Sequence, residues 1–189
     1  MNALDTLLSR VSVSSLREPA PAGVVLDRIL EAGSRAPDHG RLTPWRFVLI
    51  RGEARSALAD VVGQALSARD PQAPAALIEK QRGKFLRAPL VIALGARIRT
   101  NHKIPELEQL MSVAAATMNL LNAIHAEGFG GIWVTGANAS DPVVQSALGF
   151  TAPDTLAGFL FVGTPDAPTG PVRRAPLSDY VTEWTGVPG

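Results

Sequence analysis

The sequence predicts a single domain of the α+β class. Segments with the period of amphipathic helices are interspersed with short apolar runs that are typical of strands. The two kinds of segment do not alternate regularly, which argues against the parallel sheet of a repeated β-α-β pattern. A length of 189 residues favours one domain, and a hydrophobic fraction of 46% is sufficient for a buried core.

Helices are predicted where apolar residues recur at helical spacing, and glycine or proline marks several boundaries. The longest helix is expected from Glu106 to Glu127, and Gly128 follows it where a left-handed C-terminal cap belongs. Another helix is expected to begin at Pro142, because proline is tolerated in the first helical turn. Further helices are expected over residues 3–9, from Val25 to near Arg35, from Leu58 to Leu66 and within residues 69–87.

Strands are predicted where short apolar runs lie between turn residues. Residues 89–94 are almost wholly apolar, so this run is expected to be a buried strand. The other strands are expected over residues 45–51, 131–135 and 156–162, and residues 10–16 are expected to form a loop.

The C-terminal part of the chain has a different character. Four prolines exclude a helix over residues 164–176, yet Tyr180, Val181 and Trp184 are too apolar to extend freely into solvent. We therefore expect residues 1–163 to form the folded core and residues 164–189 to form an extended arm that docks on another surface.

The composition excludes several classes of function. A net charge of +1 and an aromatic content of 5% give no reason to expect nucleic acid or an anionic membrane as a partner. The absence of cysteine excludes disulfides and thiolate sites, and three scattered histidines lack the spacing of metal ligands. The N-terminus lacks the pattern of a signal peptide, and no apolar run approaches the ~20 residues of a membrane helix, so a cytoplasmic protein is expected.

Three short segments carry the functional signal. The first is Arg10-Val11-Ser12, which follows the first helix, and the second runs from Arg35 to His39 and leads into Pro44-Trp45. The third is the run Gly130-Gly131-Ile132-Trp133-Val134-Thr135-Gly136. Each has an ordinary interpretation by itself: a solvated surface pair at Arg10 and Ser12, an exposed turn at His39, and core packing at Trp45 and Trp133.

In this order and at this spacing, the three segments resemble the FMN-dependent nitroreductase superfamily, most closely its short-form NAD(P)H nitroreductases of the YdjA type. The resemblance extends from Ala3 to about Trp184. It implies a three-layer α/β/α fold with a mainly antiparallel sheet, and a homodimer whose subunits exchange their C-terminal arms. It also implies FMN as the cofactor and NADH or NADPH as the electron donor.

The resemblance assigns the flavin site to residues from both subunits. The phosphate of FMN is close to dianionic and needs cations and hydroxyl groups, a role that falls to Arg10, Ser12 and Arg174. The run around Trp133 would lie against the flavin ring, and Arg35 and His39 would reach the partner's flavin. The full FMN-binding set implied is Arg10, Val11, Ser12, Arg35, His39, Trp133, Val134, Thr135 and Arg174.

Two positions depart from the pattern of the family. The family commonly has a second arginine where this chain has Val11, and close relatives carry an arginine where it has Val134. Since a charge-assisted hydrogen bond contributes roughly 1.5–3 kcal/mol, both changes are expected to affect flavin affinity or substrate preference and not the fold.

The family also places contacts with the nicotinamide cofactor in one further segment. It comprises Ala123, Ile124, His125, Ala126, Glu127 and Gly128. The segment closes a helix whose C-terminal dipole end disfavours phosphate, and Ile124 is expected to be buried.

The resemblance implies an FMN-dependent NAD(P)H oxidoreductase. Hydride would pass through the bound flavin in ping-pong order to a small electron-poor acceptor such as a nitroaromatic or quinone. The chemistry takes place on flavin N5, so no side chain is expected to be catalytic. Two alternatives stay open: another flavin chemistry, such as reduction of an activated C=C bond or flavin breakdown, and a flavin-binding dimer without turnover.

Overall fold

A β-sheet lies between two helical layers in the computed structural model, which describes residues 2–170 and 172–186. Its strands are β1 (Leu16–Arg17), β2 (Trp45–Arg51), β3 (Leu90–Ala96), β4 (Gly130–Val134) and β5 (Thr155–Pro165). The described order is β1-β5-β3-β2, and β4 pairs with β5 as well. Every described pairing is antiparallel, as expected.

Seven α-helices connect and cover these strands in the described residues. They are α1 (Ala3–Ser9), α2 (Gly23–Ser34), α3 (Glu53–Arg69), α4 (Ala75–Arg87), α5 (Glu106–Ala126), α6 (Ala137–Ser140) and α7 (Pro142–Ala147). Short 3-10 turns occur at His39–Arg41 and Leu177–Asp179. None of the helices described here combines the length and apolar character that crossing a bilayer requires.

Two apolar clusters hold the three layers together. On one face of the sheet, Leu58 and Val62 of α3 and Phe85 of α4 pack against Phe159 and Phe161 of β5. On the other face, the buried side chains of α2 and α5 pack against β3 and β5. Each layer therefore buries an apolar face against the sheet, which confirms the three-layer α+β architecture.

Most predicted elements are confirmed, and the differences lie where periodicity is weak. The expected loop over residues 10–16 ends in the two-residue strand β1, which pairs with the last two residues of β5. The charged stretch 69–87 contains a helix of 13 residues, and α6 was not predicted. Gly128 has the left-handed backbone expected of a C-terminal cap, with φ +83°.

The C-terminal arm lies on the surface without an α-helix or a strand over residues 172–186. Its apolar side chains are exposed: Tyr180 is 64% and Trp184 79% accessible. The described chain therefore offers these side chains no apolar surface on which to dock, and the expected exchange of arms between subunits stays a prediction.

Candidate functional site

Arg10 stands at the C-terminal cap of α1, and part of its guanidinium group is enclosed. The helix is fixed by a capping box in which Asn2 and Asp5 exchange side-chain and main-chain hydrogen bonds. The Nη1 atom of Arg10 is buried and has no hydrogen-bond partner among the described residues. A buried guanidinium N–H without an acceptor is costly, so this arrangement suits an anion that is bound from outside the chain.

Arg174 lies beside Arg10, although the two residues are at opposite ends of the sequence. The Nη2 atom of Arg174 donates a hydrogen bond to the main-chain oxygen of Arg10 at 3.3 Å. The structure thus brings together two of the three residues expected at the phosphate. Ser12, the third, is exposed on the same loop as Arg10.

A cavity of about 260 Å³ opens beside Arg10. We call it the arginine cavity, and its lining includes Arg10, Val11, Val13, His125, Gly128 and Thr169. Val11 is half-buried here and contributes an aliphatic side chain to the lining.

Strand β4 forms the link between the loop after α1 and the sheet. The N–H of Val13 donates to the main-chain oxygen of Gly131 at 3.0 Å, so the loop lies along the outer edge of β4. Residues two apart in an antiparallel strand direct their main-chain polar groups to the same edge. The N–H and C=O of Trp133 therefore face the outer edge too, and no main-chain hydrogen bond within the described chain covers them.

The indole ring of Trp133 is a core element and not a free ligand. Its Nε1–H donates to the main-chain oxygen of Ala157 at 3.0 Å. A Cβ atom at Gly158 would lie 2.6 Å from this nitrogen. The indole ring therefore fills space beside residue 158 that is available only because this residue is glycine. The main chain of β4, flanked by the exposed Thr135, is the part that remains available to a ligand.

A second cavity, of about 290 Å³, lies between β4 and α4, where Ser14 of the loop after α1 also contributes to the lining. We call it the lysine cavity. Its floor is apolar, and its rim carries the hydroxyl of Ser14 and the cations of α4: the lining residues are Ser14, Lys84, Arg87, Ala88, Ile132, Val134 and Phe161. The sequence did not predict that Lys84 and Arg87 line a cavity. Residues 69–87 contain many charged side chains, and no local pattern indicates which of them lie beside β4.

A third cavity, of about 250 Å³, continues from the lysine cavity toward the C-terminal end of β4. The two share Lys84, Val134 and Phe161. Arg69 also lines it, but its charge is compensated by an ion pair with Asp141.

Arg35 and His39 are not brought together with Arg10 in this chain. Arg35 forms an ion pair with Glu31 at 2.5 Å, and Nδ1 of His39 lies 2.5 Å from a carboxylate oxygen of Glu108. Both side chains are exposed, and no hydrogen bond joins either to Arg10 within the described part of the chain.

The six residues expected at the nicotinamide cofactor are divided between the core and the surface. Ile124 is 1% accessible, so its side chain packs in the core, and Ala123 packs against the same cluster. Glu127 pairs with Arg28, and Ala126 is exposed near α1. His125 and Gly128 line the arginine cavity, and Nε2 of His125 lies 2.9 Å from Oγ of Ser9.

No cluster of three potential ligands in residues 2–170 and 172–186 is arranged to hold a metal ion. The candidate site consists of the neighbouring residues Arg10 and Arg174, the outer edge of β4 and the lysine cavity.

The profile of the nitroreductase family matches residues 7–164 of the chain. The chain belongs to the nitroreductase family. The match includes the loop after α1, the whole of β4 and nearly all of β5, so the parts of the site described above lie within the family domain apart from the arm.

Curated relatives support this membership across the same region. The chain is 46% identical over 165 residues to the Escherichia coli K12 protein named "Putative NAD(P)H nitroreductase YdjA", a match that covers 87% of this chain and 89% of that protein. It is 34% identical, with the same coverage, to a Haemophilus influenzae protein named "Putative NAD(P)H nitroreductase".

Solved structures show the same fold. A nitroreductase-like family protein from Bacillus cereus superposes with a TM-score of 0.86 at 22% identity, covering 98% of this chain and 97% of that one. A Desulfovibrio desulfuricans protein named "putative nitroreductase", solved in complex with FMN, superposes with a TM-score of 0.75 at 22% identity, covering 97% of this chain and 96% of that one.

Proposed function

We propose that this member of the nitroreductase family is an FMN-dependent NAD(P)H oxidoreductase that reduces an electron-poor acceptor such as a nitroaromatic or quinone. The observation that carries the proposal is the buried, unpartnered Nη1 atom of Arg10, which calls for an anion where the chain has gathered a second guanidinium. The names of the E. coli relative and of the FMN-bound neighbour support NAD(P)H and FMN as the ligands.

The phosphate of FMN would be held by Arg10 and Arg174, with the hydroxyl of Ser12 as a further donor. Guanidinium groups suit phosphate because their planar N–H groups donate two parallel hydrogen bonds. Val11 would contribute its main chain and the apolar wall of the arginine cavity.

The outer edge of β4 would support the flavin ring. Trp133 and Thr135 offer main-chain N–H groups there, and Trp133 holds the strand in place through its bond to Ala157. A fixed row of donors orients a ring without the cost of reorganising side chains. Val134 presents an apolar side chain toward Phe161, which suits contact with a planar, mostly apolar ring.

When bound, FMN would take a hydride from NADH or NADPH and pass the electrons to the acceptor in ping-pong order. The role of the protein is to position the flavin and set its electrostatic environment, and no side chain needs to exchange a proton at the site. Of residues 123–128, His125 and Gly128 remain suited to contact the nicotinamide cofactor, because they line the arginine cavity.

A second copy of the chain would complete the site. Leu8, Leu107 and Met111 are 81%, 68% and 61% accessible, an apolar surface on α1 and α5 that one subunit leaves open. Pairing through this surface would bring Arg35 and His39 to the flavin of the partner, and would cover the apolar arm.

The test is the visible absorbance of the purified protein, recorded before and after anaerobic addition of NADPH or NADH. We expect a yellow protein, or one that becomes yellow with FMN, whose colour bleaches rapidly with a nicotinamide donor and returns with an added quinone or nitroaromatic. A colourless protein that stays colourless with FMN contradicts the proposal. Flavin that neither donor reduces contradicts the assigned turnover.

A further inference from the structure

Two loops meet at one end of the sheet. The loop over residues 38–44 leads into β2, and the loop over residues 97–105 follows β3, the strand with which β2 pairs. The N–H of Arg97 donates to the main-chain oxygen of Pro44 at 2.7 Å. The two loops are therefore in direct contact, and they form one continuous surface beside the edge of the sheet.

Both loops are held in defined conformations by side chains that bond to the main chain. Oδ2 of Asp38 accepts from the N–H of Thr43 at 2.6 Å, which closes the first loop. In the second loop, the buried Gln109 bonds to the main chain of Arg99 and to the main-chain oxygen of Ile104. A ligand would therefore meet a surface that is already ordered, which lowers the entropic cost of binding.

Three cations stand around the contact between the loops. A Cβ atom at Gly40 would lie 3.1 Å from Cγ1 of Ile104, so the loops touch at this point. Arg41 directly follows Gly40 and Lys103 directly precedes Ile104, while Arg99 is tied to Ile104 through the shared glutamine. The three positive charges therefore lie on adjoining parts of one surface.

These cations have no partner within the part of the chain that the structure describes. Arg41, Arg99 and Lys103 are exposed, and their side chains make neither a hydrogen bond nor an ion pair there. Four acids belong to these loops, adjoin them or bond to them, and all but Glu106 already accept a hydrogen bond or form an ion pair: Asp38, Glu106, Glu108 and Asp154. The surface therefore carries an excess of positive charge.

The same loops contain strained backbone. Arg41, Thr43 and Asn101 have φ angles of 55°, 47° and 53°, and they are the non-glycine residues with positive φ in residues 2–170 and 172–186. A left-handed conformation is costly for a bulky or β-branched residue, and strained residues concentrate where ligands are held. The strain thus falls on the surface that carries the unpaired cations.

We propose that Arg41, Arg99 and Lys103 bind the 2′-phosphate of NADPH, and that the protein prefers NADPH to NADH as its electron donor. This inference rests on the proposed function, in which His39 would reach the flavin of the partner. His39 and Arg41 belong to one 3-10 turn, so the cations adjoin the place where the donor would deliver its hydride. NADPH differs from NADH by one phosphate on its adenosine end, and unpaired arginines are suited to that group.

The test follows the anaerobic bleaching of the bound flavin by NADPH and by NADH over a range of donor concentrations. We expect the second-order rate constant for NADPH to exceed that for NADH at least about tenfold in the parent protein. Lys103→Met should lower the constant for NADPH about tenfold and leave that for NADH unchanged, because it removes one contact to the 2′-phosphate. Lys103→Arg keeps the charge and should keep the preference.

Two further variants and one control complete the series. Arg41→Asn removes a charge and keeps a residue that tolerates the left-handed backbone, so it should reproduce the loss for NADPH alone. Adding Arg99→Met to both changes should abolish the preference. Lys80→Met, at an exposed position on α4, controls for the loss of one positive charge and should match the parent protein.

Three outcomes overturn the inference. The first is a parent protein that both donors reduce equally well, and the second is a preference that survives in the triple variant. The third is an equal loss for both donors, since it would place the cations at the pyrophosphate that NADH and NADPH share. A loss of the same size in Lys80→Met has the same meaning, because the effect would then depend on net charge alone.

Calorimetric titration with adenosine 2′,5′-bisphosphate and with AMP separates this inference from the proposed function, because it requires no flavin. We expect the parent protein to bind the bisphosphate more tightly than AMP, and the triple variant to bind both alike. If the protein binds no FMN, or if neither donor reduces the flavin, the proposed function fails. The titration then still decides whether the loops bind a 2′-phosphate, and equal affinities in the parent protein contradict that.

Discussion

The side chain of Arg174 donates a hydrogen bond to the main-chain oxygen of Arg10, 164 positions away in the sequence, at 3.3 Å. This bond ties the arm to the loop after α1 and places Arg174 beside Arg10, which lines the arginine cavity. Since the Nη1 atom of Arg10 lacks an acceptor within the described chain, the pair is prepared for an anion that the protein itself does not supply.

Replacement of Arg174 by alanine should weaken FMN binding about tenfold or more, because one charge-assisted contact to the phosphate is lost. Arg173→Ala is the matched control, since Arg173 is its exposed neighbour and makes no hydrogen bond or ion pair in the described part of the protein. Quenching of flavin fluorescence on titration measures both affinities. If the two variants bind FMN with equal affinity, Arg174 does not bind the phosphate.

Replacement of Gly158 by alanine should destabilise the sheet at the point where Trp133 crosses it. A Cβ atom there would lie 2.6 Å from Nε1 of Trp133 and 2.6 Å from the main-chain oxygen of Val134, and the backbone has φ +133°. We expect a loss of at least about 2 kcal/mol in the free energy of unfolding, from overpacking and backbone strain.

Urea unfolding checks this loss, and Gly83→Ala is the control. Gly83 lies within α4, and a Cβ there meets no atom within 4 Å, so alanine should leave stability unchanged or raise it slightly. If Gly158→Ala unfolds at the same urea concentration as the parent protein, then Trp133 is not fixed as described. The result would contradict the proposal that Trp133 holds β4 in place for the flavin ring.

Replacement of Gln109 by leucine should destabilise the loop that precedes α5. Gln109 is 1% accessible; its Oε1 accepts from the N–H of Arg99 at 2.9 Å, and its Nε2 donates to the oxygens of Arg99 and Ile104 at 3.0 and 3.1 Å. Leucine leaves these main-chain groups without partners, at a cost of about 3 kcal/mol. Gln64→Leu, at an exposed position on α3, should change the free energy of unfolding by less than about 0.5 kcal/mol.

Most secondary structure could be predicted because apolar periodicity is a local signal. Strand β2 has the expected bounds, Trp45–Arg51, and α5 ends one residue before the expected Glu127, ahead of the glycine cap. The two-residue strand β1 and the four-residue helix α6 were not predicted, because elements of that length are too short to show a periodic pattern of apolar residues. Their positions depend on contacts with distant residues.

The site could be predicted in part, because some of its residues lie in segments that can be recognised from the local sequence. Arg10, Trp133 and Arg174 lie in recognisable segments, and the structure joins the first and last of them directly. The position of Lys84 at the lysine cavity could not be predicted, because it depends on the packing of α4 beside β4, which local composition does not encode. The proposed role of Arg35 and His39 would require a second copy of the chain, since in one copy they pair with Glu31 and Glu108.

Sedimentation velocity, recorded at the visible absorbance of the flavin, tests the central claim that two copies of the chain form each flavin site. The account predicts that the colour sediments with a dimer, and that dissociating the dimer releases the flavin. A folded single chain that carries the flavin alone, or a folded protein that carries no chromophore when FMN is supplied, would contradict it.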